Sequence, residues 1–296
     1  MHAVTEIAYW DIVRRSLAIA WNDKFLWFFG FFAAAGGGGN FLNVGERGGE
    51  PLRDFFVTHL EILVVVVVGL VILWLLFFVM NLISRGALIG CVDLVESGEE
   101  IRFEHGWSIG FRALWGMLGL FVTAFAAFLV VTGVCVIVVI LPLAAGAPGI
   151  AISILIAAVL LLPYLAFLFL LTFTVTYAER DYVIHNRGVM NALAAGWELT
   201  KRFFGKSIVM WLVSLLSGIV FAMGLVAVLL AASLPFLLIG IANPVVALAL
   251  GIPVGLVIII LSASAFNTYE SALWTLLYRE LSGRAAPLSA PVAVGG

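Results

Sequence analysis

The chain has 296 residues, 64% hydrophobic and only 11% charged, with a mean hydropathy of +1.20 and a formal net charge of −2. A soluble domain carries about 25% charged residues, so this composition excludes a water-soluble globule. The faintly negative balance and the lack of any basic tract exclude a nucleic-acid partner. Cys91 and Cys135 show no spacing of a disulfide framework or a metal site.

Two charge-free runs decide the class. Arg112 and Glu179 enclose 66 residues without Asp, Glu, Lys or Arg, and Lys206 and Glu270 enclose 63 more. A membrane span needs about 20 apolar residues to cross about 30 Å of hydrocarbon, so each run holds two spans and a turn. Continuous apolarity requires helices, because barrel strands alternate polar and apolar residues. The fold class is therefore an all-α membrane protein of six transmembrane helices, a single domain over 1–282.

In chain order, an interfacial helix is expected at about 5–22. The first span, 25–44, is the weakest, since FFAAAGGGGN fades into glycine. An outer loop over 36–54 has the composition of a mobile segment. The second span, 62–83, is the strongest and overruns the membrane, because helical apolar spacing continues through Leu88, Ile89, Val92, Leu94 and Val95 to a stop at Gly98. The third and fourth spans, 114–141 and 150–177, part at Pro142–Gly149, where Pro and Gly end helices. A second interfacial helix over 188–204 precedes the fifth span, 207–233. Leu234-Pro235 and Asn243-Pro244 then divide it from the sixth, 245–269. Residues 283–296 form a disordered, Pro-rich tail.

Basic residues set the orientation. Six spans place Arg14, Arg15, Lys24, Arg85, Arg102, Arg112, Arg180, Arg187, Lys201, Arg202, Lys206, Arg279 and Arg284 on one side, against Arg47 and Arg53 on the other. Both termini and the tail are expected in the cytoplasm, with the bundle in the cytoplasmic membrane. A cleaved signal peptide would share the basic start, the short apolar stretch and AAAG. Glu6, Asp11 and Asp23 in its first 24 residues argue against it.

A tryptophan recurs before each odd-numbered span, in SLAIAWNDKFLWFFGF, FEHGWSIGFRALWGML and ALAAGWELTKRFFGKS. Trp21, Trp107 and Trp197 lie 86 and 90 residues apart, which suggests three two-helix repeats, each preceded by an interfacial helix. The indoles would anchor at headgroup level, with Lys and Arg snorkelling beside them. An aromatic belt without common ancestry gives the same pattern.

Polar groups at membrane depth are costly and point to function. Glu270 is the leading candidate, with Asn267 one helical turn earlier. Their facing partners would be Asn81 and Arg85 at the end of the second span, or Glu179-Arg180-Asp181 ending the fourth. These residues would form a cytoplasmic-side polar pocket for a headgroup or small substrate; the alternative is a protruding helix with Glu270 in headgroup water. His105 and His185 lack metal-ligand spacing and are expected at the surface, so no metal and no cofactor is predicted. Gly86-x-x-x-Gly90 and Gly251-x-x-x-Gly255 permit close helix packing. No nucleophile–base pair occurs, so no catalytic residue and no enzyme is expected.

RGALIGCVDLVESGEE followed by EHGWSIGFRALWGMLG, and NALAAGWELTKRFFGKSIVMWL, resemble a broad group of bacterial integral membrane proteins. That group includes the membrane domain attached to some glycerophosphoryl diester phosphodiesterases, and stand-alone relatives. The resemblance covers most of the chain through loose small-residue–Trp patterns, and implies a six-helix inner-membrane bundle. It does not imply phosphodiesterase activity, because the barrel for that chemistry needs about 200 or more residues of soluble sequence. The expected role is a non-enzymatic bundle interacting with membrane lipids or another membrane protein. The alternative is a permease-like subunit for a small or lipidic substrate, a reading weakened by the uncharged span centres.

Overall fold

The computed structural model describes residues 7–35 and 60–283. These residues are 93% helical, with no strand among them. Seven α-helices follow in order: α1 Tyr9–Asn22, α2 Leu26–Ala35, α3 Leu60–Glu96, α4 Phe103–Ile140, α5 Ala147–His185, α6 Val189–Ala242 and α7 Pro244–Leu281. A 3-10 turn, Leu141–Ala145, joins α4 to α5. The chain is a multi-pass helical membrane protein by the length and apolarity of its helices.

Five helices among the described residues, α3 to α7, are long and apolar enough to span, not the six expected. The difference is the first span. Among the described residues helix α2 covers ten residues, about 15 Å at 1.5 Å per residue, or half the hydrocarbon thickness. It is followed by four glycines, each costing a helix interior about 1 kcal/mol. The rest of that expected span, the outer loop 36–54 and the tail beyond Gly283 lie outside the described residues.

The long helices have two parts. Their outer stretches expose apolar side chains: Val64 to Leu76 in α3, Val130 to Ile140 in α4, Ile150 to Leu162 in α5, Leu215 to Ile241 in α6 and Val245 to Leu261 in α7 supply most of the exposed large hydrophobics. In lipid this is the stable arrangement, since each helix satisfies its own backbone and tails solvate the side chains. Contacts there are few and pairwise. Thr132 and Tyr164 hydroxyls meet at 3.0 Å between α4 and α5, and Phe221 stacks on Phe266 between α6 and α7.

At the other end the same helices pack with α1 and α2 into one core. Ile12, Leu26, Phe29, Leu88, Phe173, Tyr177, Met210, Leu273 and Tyr278 are buried there, each large side chain contributing about 1.5–3 kcal/mol by leaving water. A second cluster joins Leu82, Ile89, Met117, Leu120 and Ala178. Every Lys and Arg among the described residues lies toward this packed end, and α1 and the last turns of α7 lie there together.

Helix boundaries follow chemistry with two surprises. The overrun of α3 ends as expected: Gly98 adopts φ +80°, with Gly98 N bonded to Val95 O and Glu99 N to Leu94 O, the Schellman pattern. The expected separation of interfacial and spanning helices is absent in α4, which runs unbroken, and survives in α6 only as a kink at Phe203 (φ −122°, ψ 27°). The expected break at Leu234-Pro235 is also absent, because Pro235 is accommodated inside α6. The turn comes at Asn243, whose side chain accepts from the backbone N–H of Val245 and Val246 and caps α7.

Close helix contact depends on small residues at the packed end. Gly86 and Gly90 of α3 face Ala113 and Ile109 of α4. The other expected pair differs: Gly251 meets Phe236, but Gly255 faces open space.

Candidate functional site

A cavity of about 190 Å³ lies where the packed end meets the exposed spans. Three helices line it with the same i, i+3, i+4 spacing that puts residues on one helical face. Helix α3 brings Arg85, Leu88 and Ile89; α5 brings Thr176, Glu179 and Arg180; α7 brings Asn267, Glu270 and Ser271, with Trp274 one turn on; Ala33 of α2 completes it.

Of the four pocket residues expected from sequence, Arg85, Asn267 and Glu270 line this cavity and Asn81 does not. Asn81 Nδ2 donates instead to Phe32 O at 2.7 Å and Ala33 O at 2.8 Å. Those carbonyls belong to the last described turn of α2. Asn81 therefore holds α2 against α3.

The charges in the cavity are unevenly paired. Arg85 Nη1 lies 3.3 Å from Glu179 Oε1, so these two offset each other. Glu270 Oε1 accepts from Ser214 Oγ at 3.1 Å and has no cation within 4.0 Å among the described residues. Arg180 is 5% exposed. Its Nη1 donates to Thr176 O at 2.6 Å, its Nε has no partner, and no carboxylate lies within 4.0 Å among the described residues. Asn267 Nδ2 donates back to Ala263 O at 2.8 Å.

Beyond Trp274 lies a second polar group that the sequence reading missed. Tyr278 OH donates to Asp181 Oδ1 at 2.7 Å, with His185 Nδ1 at 3.0 Å from the same oxygen and Arg187 Nη1 at 3.7 Å. His185 is thus half-buried and tied to Asp181 rather than loose at the surface; its i, i+4 spacing to Asp181 was the available signal. His105 is different: its Nδ1 accepts from Arg102 N at 3.2 Å at the start of α4. Arg279 pairs with Asp93, and Arg15 with Glu96, tying α7 and α1 to the overrun of α3. Among the described residues no three His, Cys, Asp or Glu are placed to hold a metal ion.

The three tryptophans share one local arrangement. Each follows a buried small residue, Ala20, Gly106 or Gly196. Gly106 approaches Phe29 and Cys91, and Gly196 approaches Thr174 O. Trp21 and Trp197 turn outward, 65% and 42% exposed, with Lys201 Nζ 5.1 Å from the Trp197 ring. Trp107 is half-buried and packs against the core.

No family model, curated protein or solved structure matches this chain.

Proposed function

We propose that this protein is a non-enzymatic bundle of the cytoplasmic membrane that binds a membrane lipid through its polar cavity. The observation that carries the reading is the place of the charges. Arg85, Glu179, Arg180 and Glu270 line one cavity at the level where exposed apolar helix gives way to packed core, the depth of a lipid headgroup. Every described Lys and Arg is at the packed end, where α1 and the last turns of α7 also lie, which supports a cytoplasmic packed end.

Three units, each opening with a small residue, a tryptophan and an interfacial stretch, would surround the cavity from the cytoplasmic leaflet, in keeping with the family the segments resemble. The transporter reading has less support, since the span centres carry no ionisable group for coupling.

Native mass spectrometry of the protein extracted directly from its own membrane tests this. A stoichiometric lipid that is lost in Glu270→Gln supports the reading. A retained second protein with no lipid would sink it and make the bundle a subunit of that partner.

A further inference from the structure

We infer that the cavity takes a zwitterion: an anionic oxygen group against Arg180 and a protonated amine against Glu270. The inference rests on the ligand-binding reading above and goes on to name the chemistry bound.

Four charged side chains line the cavity, and internal pairing cancels only two. Arg85 and Glu179 are joined at 3.3 Å. Arg180 and Glu270 remain, opposite in sign and each without an ion-pair partner within 4.0 Å among the described residues. Arg180 is buried with its Nε unpartnered; Glu179 and Glu270 act on its charge only from beyond 4.0 Å, and a buried charge without a close partner is unfavourable. A simple anion would satisfy Arg180 but bring its charge toward Glu270. A simple amine would satisfy Glu270 and meet Arg180. A molecule carrying both charges answers both residues at once.

Size agrees with a headgroup. About 190 Å³ falls below the roughly 300–1,000 Å³ of pockets that enclose drug-sized ligands. Phosphoethanolamine has this chemistry, and it reaches the site either as the headgroup of a phospholipid or as a free metabolite.

Two arms test the inference. In the first, protein in vesicles of equimolar phosphatidylethanolamine and phosphatidylglycerol is released into the mass spectrometer. Retention of phosphatidylethanolamine over phosphatidylglycerol by about tenfold or more, the weight of one hydrogen bond to a charged group, identifies the lipid. In the second, delipidated protein in an uncharged detergent is melted with O-phosphoethanolamine, inorganic phosphate or ethanolamine. A saturating rise in Tm with phosphoethanolamine alone, without lipid preference in the first arm, identifies a soluble ligand.

Either selectivity should vanish in Glu270→Gln and in Arg180→Gln. Because Arg180→Gln alters a buried position, Glu270→Gln decides the matter if the arginine variant does not fold. Equal retention of the two lipids together with no effect of phosphoethanolamine overturns the inference. So does phosphate acting as well as phosphoethanolamine, or selectivity surviving Glu270→Gln. A lipid bound without headgroup preference would sink the zwitterion and leave the lipid-binding reading standing.

Discussion

Tyr278 donates its hydroxyl hydrogen to Asp181 at 2.7 Å, joining the last turns of α7 to the last turns of α5 directly beneath the cavity. Asp181 is 3% exposed, and its second oxygen has no partner. The carboxylate therefore depends on Tyr278, His185 and a longer contact to Arg187. Removing the shortest donor leaves a buried charge less satisfied. Tyr278→Phe should cost about 1–3 kcal/mol, the range for a lost hydrogen bond to a charged group. It would appear as a Tm several degrees lower in detergent. Tyr278→Phe in an Asp181→Asn background should cost less than in the native chain, because the charge that needed the donor is gone. An equal cost in both backgrounds would rule out the coupling.

Asn81 satisfies two carbonyls of α2 at once. Asn81→Ala leaves both carbonyls without that donor, at a cost of about 1–3 kcal/mol. Asn81→Asp should be worse, since it sets carboxylate oxygens against two carbonyl oxygens. Accessibility of a cysteine placed at Phe32 to a thiol reagent reports whether α2 has come away from α3. Labelling should rise from native to Ala to Asp, and the reverse order would refute this role for Asn81.

The sequence reading and the structure diverge for identifiable reasons. Arg85, Asn267 and Glu270 were legible because charged or amide groups next to a long apolar run stand out whatever the tertiary packing. Thr176, Ser271 and Trp274 were not, as nothing local separates a cavity-lining threonine from one bonding back to its own helix. Asn81 lies one turn from Arg85 on nearly the same face, yet meets α2, and nothing in the local sequence marks that docking. Pro235 was overvalued as a helix end because neighbouring structure can absorb a proline inside a membrane helix. At Asn243 the side-chain cap and the following Pro244 agree, and there the helix does end. Interfacial and spanning segments share one helical period, so periodicity alone could not divide α4.

Packing of α2 on α7 rests on Gly30. A Cβ there would run into the Ser264 carbonyl and the Thr268 hydroxyl, and Thr268 Oγ1 already donates to Leu26 O at 3.2 Å. Backbone cannot retreat as a flexible side chain can, so Gly30→Ala should cost about 1–3 kcal/mol as an overpacked site. Gly255→Ala is the matched control, since its Cβ meets nothing within 4 Å. The control should melt at or slightly above the native temperature, because alanine favours helix over glycine. If both variants melted alike, the close approach of α2 to α7 would not be a stability determinant.

Asp23 joins α1 to α2, outside the spans, and burial holds its carboxyl above the ordinary carboxylate value. The sign follows from linkage. A folded-state value above the unfolded one means the native state binds the proton more tightly. The stabilisation from that proton is fully present below the unfolded value of about 3.8 and is lost as pH rises through the raised folded value. At neutral pH the ionised Asp23 is therefore a burden on the fold. Asp23→Asn, neutral at every pH, should melt above the native protein at pH 7. The gap should narrow as pH falls toward 4, where the native residue takes up its proton. Taking the difference between the two proteins at each pH cancels carboxylates elsewhere. A gap that stays constant across the range would show that Asp23 is solvated in the folded state and that the α1–α2 junction is open to water.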